Sequence, residues 1–183
     1  MFLDYYISRS CSYQKFIERT PKNRERLDNV YSSATIPEKY KKQIKEIKST
    51  IRLLVFAENW CSDTVLTIPV LAKLAELNDN IDLLIVPRDD VIEEFKQDFL
   101  TEGKAKIPLV LFLLDKTKEV KRWVERTQQT NERIKEIKAQ HVKKSEIYRS
   151  VVELYLKKGT IDETTKVLAC ELIKVELIAS SSN

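Results

Sequence analysis

Residues 51–64 read IRLLVFAENWCSDT. Five of the first six, all but Arg52, are apolar and rich in strand-forming side chains, which predicts a buried β-strand. A helical pattern follows at once, because apolar residues between Thr64 and Leu77 repeat on one face. Cys61 therefore lies where a strand passes into a helix, and in α/β sheets ligand sites lie beyond the carboxyl ends of strands. We expect any chemistry of the protein at this junction.

The alternation of strand and helix continues downstream. Apolar runs at residues 81–86 and 109–114 predict two further buried strands, and residues 120–124 predict a fourth. A helical pattern over residues 91–100 separates the second strand from the third. This order predicts an α/β domain, in which right-handed crossovers place helices on both faces of a central sheet.

Helical segments flank this domain on both sides. Spaced apolar residues within residues 1–50 predict short amphipathic helices that form an N-terminal extension packed on the core. Residues 51–158 are predicted to form the α/β domain, which closes with one or two charged helices ended by Gly159. Residues 159–183 are predicted to form a C-terminal amphipathic helix and a disordered tail from Ser180.

The composition excludes several classes of function. With 183 residues, 43% hydrophobic and 33% charged, the chain resembles an ordinary soluble domain. Its 32 basic residues are spread among 28 acidic ones, which argues against a nucleic-acid partner. The start lacks the pattern of a signal peptide, and the longest apolar run, residues 109–114, is too short to cross a bilayer. We expect a cytoplasmic protein with no membrane partner.

Cofactor-binding motifs are also missing from the sequence. Its two glycines, Gly103 and Gly159, cannot form a glycine-rich phosphate loop. The single histidine, His141, stands in a lysine-rich stretch far from every cysteine, so no local zinc site can be assembled. We expect neither a cofactor nor a bound metal.

Three cysteines, Cys11, Cys61 and Cys170, lie far apart in the sequence. An odd and sparse set is not a disulfide framework, so at least one thiol stays free. We interpret Cys11 and Cys170 as structural, with the alternative that either serves as a distant resolving thiol.

Cys61 has the position of a nucleophile. Backbone N–H groups and the helix dipole at a helix N-terminus favour a thiolate over a thiol. One turn later, the Thr64 hydroxyl is placed to donate a hydrogen bond to the sulfur. Asp63 opposes this effect with its negative charge, and Lys106 offsets Asp63 if the Pro108 loop lies close. The sequence leaves the balance open.

The segment from Phe56 to Cys61, followed by Pro69 eight residues after the cysteine, resembles the W-C-x-x-C turn and helix of the thioredoxin superfamily. Residues 106–110, Lys-Ile-Pro-Leu-Val, resemble its cis-proline loop. The resemblance spans roughly residues 52–155 and is nearest to bacterial thioredoxin-family proteins. It implies a thioredoxin-like fold with a mixed central sheet, a cis Ile107–Pro108 bond facing Cys61, and an Ile107 backbone that contacts an extended substrate.

Two positions depart from the family pattern. Thr64 replaces the second, resolving cysteine, and Val55 replaces a buried acid. The resemblance then implies a monothiol thiol-disulfide oxidoreductase, in which Cys61 attacks protein or low-molecular-weight disulfides and a second thiol releases the adduct. We assign catalysis to Cys61 and Thr64, and substrate binding to Trp60, Ser62, Ile107 and Pro108.

Other interpretations remain open at this level. The same fold serves as a redox-inactive binding module, with Cys61 as a small buried side chain. Peroxide reduction is the weakest alternative, because Glu58 stands where such an enzyme has Thr or Ser. Trp60 either shields the site or belongs to the core, Thr64 is otherwise only a helix-start residue, and Pro108 is otherwise an ordinary trans proline. The oligomeric state is not predicted.

Overall fold

The computed structural model describes residues 2–19, 23–115 and 117–181. Within these residues, four strands form one sheet: β1 (Ile51–Ala57), β2 (Ile81–Pro87), β3 (Leu109–Leu114) and β4 (Lys118–Val124). Their spatial order is β2-β1-β3-β4. β1 is parallel to β2 and antiparallel to β3, and β3 is antiparallel to β4, so the predicted mixed sheet is confirmed.

Helices surround the sheet and form both terminal parts of the chain. The helices are α1 (Phe2–Ile7), α2 (Tyr13–Glu18), α3 (Arg24–Ser33), α4 (Glu38–Lys45), α5 (Ser62–Ala75), α6 (Ile92–Asp98), α7 (Gln128–Gln140), α8 (Lys144–Leu156) and α9 (Lys158–Ser181), with a 3-10 turn at Arg88–Val91. α5 connects the parallel strands β1 and β2, which cannot be joined by a tight turn.

Alternate residues of β1 point to two separate cores. Leu53 and Val55 belong to the larger core, which packs under α3, α4, α5 and α9. Leu54 and Phe56 belong to the smaller core on the other face, formed with α1 and α6. There the Phe56 ring is surrounded by aromatic rings with centroids 4.9–5.1 Å away: Tyr6, Phe95 and Phe99. Because both faces are covered, β1 and β3 consist almost entirely of apolar residues.

The N-terminal helices also extend the sheet. Cys11 forms an isolated antiparallel bridge with Ile85 of β2, with N–O distances of 2.7 and 3.0 Å. α2 contacts β2, and α3 packs on α5. The N-terminal part is therefore joined to the body by backbone hydrogen bonds as well as by apolar contacts.

The C-terminal prediction is wrong in two details. Gly159 does not end a helix, because α8 stops at Leu156, Lys157 is extended, and Gly159 lies in the first turn of α9. Ser180 and Ser181, predicted to be disordered, are the last residues of α9, and residues 182–183 of the predicted tail lie outside the described residues.

No helix in the parts of the chain that the structure describes combines the length and the apolar character needed to cross a membrane.

Candidate functional site

Cys61 is the N-cap residue of α5 and has extended backbone angles, φ −83° and ψ 123°. The backbone turns after β1 because the Cys61 N–H donates to the Glu58 carbonyl at 3.1 Å, and the helix starts because Val65 N–H donates to the Cys61 carbonyl at 3.2 Å. The side chain is partly exposed. The thiol therefore lies at the N-terminus of α5, as the sequence predicts.

The cis-proline loop lies directly against the thiol. The peptide bond between Ile107 and Pro108 is cis, which confirms the prediction and excludes the trans alternative. The Cys61 Sγ donates to the Ile107 carbonyl oxygen at 3.6 Å, a distance typical of a weak sulfur hydrogen bond. The structure therefore brings together Cys61 and the two loop residues assigned to substrate binding.

Opposing influences act on the thiol. Burial, and then the negative charge of Asp63, raise the pKa of Cys61, while the N–H groups of Thr64 and Asp63 and the Thr64 hydroxyl lower it. The net pKa is raised above the ordinary value of a cysteine. The balance that the sequence left open thus favours the neutral thiol.

Thr64 is completely buried one turn into α5. Its hydroxyl has no hydrogen-bond partner among the described residues while Cys61 is a thiol. The acceptors near the Cys61 Sγ are the Ile107 carbonyl oxygen at 3.6 Å and the Asp63 Oδ2 at 4.0 Å. A hydroxyl in this position gains an acceptor when the sulfur becomes charged, which is why it lowers the pKa.

Asp63 is held by two residues that the sequence analysis did not assign. Arg126, just after β4, donates from Nε and Nη2 to the two carboxylate oxygens, each at 2.6 Å. The hydroxyl of Tyr155 on α8 donates to Asp63 Oδ1. The Arg126 and Asp63 side chains are only 15% and 12% exposed, so their charges face each other away from bulk water. We call Asp63, Arg126 and Tyr155 the carboxylate cluster.

The protonation states of the cluster follow from its contacts. Burial disfavours the charge of Arg126, but the hydrogen bonds to Asp63 and the electrostatic effects of Asp63, Tyr155 and Glu125 together outweigh burial and raise the Arg126 pKa. Burial and the Asp63 charge raise the pKa of Tyr155. Arg126 therefore stays cationic and Tyr155 stays a neutral donor. Lys106, suggested as the partner of Asp63, instead pairs with Glu102 at 2.6 Å and Glu125 at 3.7 Å.

Trp60 covers the outer side of the site. It is 54% exposed, so the alternative that it belongs to the core is wrong. Its Nε1 donates to Asp89 Oδ2 at 3.1 Å, and the Arg88 guanidinium lies 5.2 Å from the ring centroid. These contacts hold a large aromatic surface in water beside the thiol.

The loop before Cys61 is fixed from both sides. Glu58 is buried and accepts a hydrogen bond from the Asp89 N–H at 2.7 Å. The Asn23 side chain donates to the Asn59 carbonyl at 2.5 Å, and the Asn59 side chain donates to the Arg19 carbonyl at 3.0 Å. Asn23 and Arg19 in the N-terminal part thereby position the loop before Cys61, a contact that spacing in the sequence does not reveal.

An open groove of about 650 Å³ starts at Cys61 and runs between the beginning of α5 and the pair α7–α8. Ser62, the first residue of α5, lines it next to the thiol. Trp60 and the carboxylate cluster also line it near Cys61. The groove gives a substrate access to the sulfur from one side.

The other two cysteines lie in different surroundings. All three cysteines are free thiols. Burial raises the pKa of Cys11, whose backbone forms the bridge to β2. Cys170, on α9, contacts the Tyr40 hydroxyl and raises the pKa of that group. No group of three or more metal-binding side chains occurs among the residues that the structure describes.

A mixed four-stranded sheet, a helix that begins at a cysteine and a cis-proline loop against its sulfur define the class of thioredoxin-fold proteins. A family model described as Thioredoxin matches residues 10–140, well over half of the chain. The chain belongs to the thioredoxin family. Its match starts within the N-terminal part and ends with α7, so that the carboxylate cluster lies partly inside the family region and partly, at Tyr155, beyond it.

Solved structures support the fold. A protein of unknown function from Pseudomonas aeruginosa, determined at 1.5 Å, is similar with a TM-score of 0.64 and 21% identity over 89% of this chain and 96% of that one. An HIV epitope scaffold is similar with a TM-score of 0.63, 21% identity and the same coverage. A comparison with curated proteins found no significant match.

Proposed function

We propose that this protein catalyses thiol-disulfide exchange through the single cysteine Cys61. The observation that carries the proposal is the Cys61 Sγ at the N-terminus of α5, partly exposed, 3.6 Å from the carbonyl that precedes the cis Pro108. The sulfur has an open approach, and a backbone segment suited to bind an extended substrate lies beside it.

The reaction is an exchange of one sulfur-sulfur bond for another. The Cys61 thiol first loses its proton to solvent. Its sulfur then attacks one sulfur of the substrate disulfide, the new Sγ–S bond forms, and the old S–S bond breaks. Cys61 is oxidised to a mixed disulfide, and the leaving sulfur is reduced to a thiolate that takes a proton from water.

The N-terminus of α5 stabilises the attacking thiolate. The N–H groups of Asp63 and Thr64 and the Thr64 hydroxyl favour the charged sulfur. Trp60, Ser62, Ile107 and Pro108 are proposed to contact the substrate, because they surround the sulfur. Since the pKa of Cys61 is raised, the fraction of thiolate at neutral pH is small and the exchange rate increases as pH rises.

Release of the mixed disulfide requires a second thiol. Thr64 stands where an internal resolving cysteine would be, and Cys11 and Cys170 lie on other elements. We therefore propose that a low-molecular-weight or protein thiol attacks the adduct, regenerating Cys61. We place this chemistry in the cytoplasm, where thiols stay reduced.

A redox-inactive binding module is the second candidate. The raised pKa of Cys61 favours it, because burial and Asp63 both act against the nucleophile. In this function, the groove and the cis-proline loop bind a partner without covalent chemistry.

The deciding experiment measures adduct formation at Cys61 with 2-hydroxyethyl disulfide across pH by mass spectrometry. Under the proposed function, the folded protein forms the adduct faster than a Cys61-containing peptide at alkaline pH, and added 2-mercaptoethanol removes it. The Cys61→Ser variant serves as the control for labelling of Cys11 and Cys170. If the peptide reacts as fast as the protein or faster at every pH, the binding module is the better assignment.

A further inference from the structure

The groove beside Cys61 continues well past the carboxylate cluster. Its far wall consists of apolar residues from two helices: Ile134 on α7, and Ile147 and Val151 on α8. Tyr148, 50% exposed, lines the same wall, and its hydroxyl accepts a hydrogen bond from Arg26 at 3.2 Å. An apolar wall next to an aromatic ring with a polar end is a surface that suits a polypeptide.

The charge of the groove is positive. Asp63 lines it, but the positive charge of Arg126, which lines the groove too and forms two hydrogen bonds with that carboxylate, balances this single negative charge. Lys138 and Lys144 line the rim, and both are exposed. Among the described residues, neither lysine forms an ion pair with a carboxylate, unlike Lys143 beside them, which pairs with Glu146 at 3.6 Å. Two uncompensated positive charges therefore flank the path to the sulfur.

We propose that this groove binds an acidic polypeptide segment next to the disulfide of a protein substrate. The inference rests on the proposed function and names its substrate class. The lysines supply the preference for acidic residues, and the apolar wall supplies contact area for the neighbouring side chains.

The shape of the groove favours a polypeptide over a small anionic disulfide. Sites for small molecules bury most of the ligand surface, whereas this groove is open to solvent. A polypeptide gains affinity by extending along the groove and over Trp60, while its disulfide reaches Cys61 at one end. The covalent step remains the exchange given above, with one S–S bond formed and one broken.

The test compares two peptides of equal length that differ only in acidic or basic residues around one cysteine, each as its mixed disulfide with 2-mercaptoethanol. At low ionic strength, the acidic peptide is expected to transfer to Cys61 about tenfold faster than the basic one. The double charge reversal Lys138→Glu with Lys144→Glu is expected to invert the preference. The matched control reverses Lys135 and Lys166, which are exposed and lie outside the groove lining, and is expected to keep it.

The outcomes separate this inference from the proposed function. Equal rates for the two peptides overturn the acidic preference while the exchange activity stands. A small dianionic disulfide, 3,3′-dithiodipropionate, that reacts as fast as the acidic peptide overturns the polypeptide assignment. If no disulfide modifies Cys61, the proposed function fails, and fluorescence anisotropy of a labelled, cysteine-free acidic peptide with the Cys61→Ser protein then tests the groove alone: binding weakened by the Lys138 and Lys144 reversal supports it, and no binding overturns it.

Discussion

The two flanks of Cys61 differ in origin and in effect. One flank consists of Trp60 and the cis-proline loop, close to the motifs of the family. The other is the carboxylate cluster, which joins Asp63 to Arg126, 63 residues away, and Tyr155, 92 residues away. Under the proposed function, the first flank contacts the substrate. The second places a negative charge beside the sulfur, which raises the pKa of Cys61 further after the effect of burial.

This difference means that a family motif does not by itself determine reactivity. The N-terminus of α5 favours a thiolate in the expected way, yet burial and the carboxylate of Asp63 outweigh it. Changes to the carboxylate cluster should therefore alter the stability of the protein or the pKa of Cys61 more than matched changes elsewhere do.

The largest effect is expected from Arg126→Met. Removal of the guanidinium leaves the Asp63 carboxylate buried without its ion-pair partner, which should lower the free energy of unfolding by about 3 kcal/mol. Urea denaturation measures the loss. Arg122→Met is the matched control, because Arg122 pairs with Glu119 in a more exposed position and should cost less than about 1 kcal/mol. Similar losses for both variants would contradict the importance of the buried pair.

Asp63→Asn is expected to have the next largest effect. It removes the negative charge that raises the pKa of Cys61, so the pKa should fall and iodoacetamide should label Cys61 about tenfold faster at neutral pH. Labelling rate against pH provides the measurement. Asp89→Asn is the matched control, because it also removes one negative charge, from an exposed residue on the Trp60 side of the site. A comparable acceleration in that control would mean that general surface charge, rather than Asp63, acts on the thiol.

Thr64→Val should produce the smallest effect: it should raise the stability of the protein and slow the labelling of Cys61. The variant removes a hydroxyl that is buried without a partner, which should stabilise the fold by about 1 kcal/mol. It also removes a group that favours the thiolate, so the pKa of Cys61 should rise and labelling should slow about twofold. Thr67, on the same helix, has another buried hydroxyl without a partner. Thr67→Val should therefore stabilise the protein equally without slowing the labelling.

Local patterns predicted most of the fold. The apolar runs at residues 51–56, 81–86 and 109–114 form strands, and such runs can be recognised without knowledge of their partners. The first and third are buried on both faces, whereas the second, at the edge of the sheet, is partly exposed in its middle. Gly159 was misassigned because a glycine after a helical pattern usually ends the helix. Here Lys157 is extended and provides the break instead, so Gly159 lies within the next helix.

The site was predictable only where short motifs define it. The positions of Cys61 at the helix N-terminus and of the cis Pro108 beside it were predicted correctly, because both residues belong to short, recognisable sequence motifs. Lys106 was expected to offset the charge of Asp63 if the Pro108 loop lay close, but its side chain pairs with Glu102 instead. Arg126 stands two residues after the end of the fourth strand, which was the available signal. Nothing local indicated Tyr155, because α8 reaches Asp63 only through the tertiary fold.

The bridge between Cys11 and Ile85 also bears on how the protein behaves at high concentration. β2 is an outer strand of the sheet, and an outer strand with free backbone groups can pair with a strand of another molecule. At Ile85 both backbone groups are already bonded to Cys11, and α2 packs over the same strand. The N-terminal part thus leaves fewer free backbone groups on β2 for pairing with a strand of another molecule.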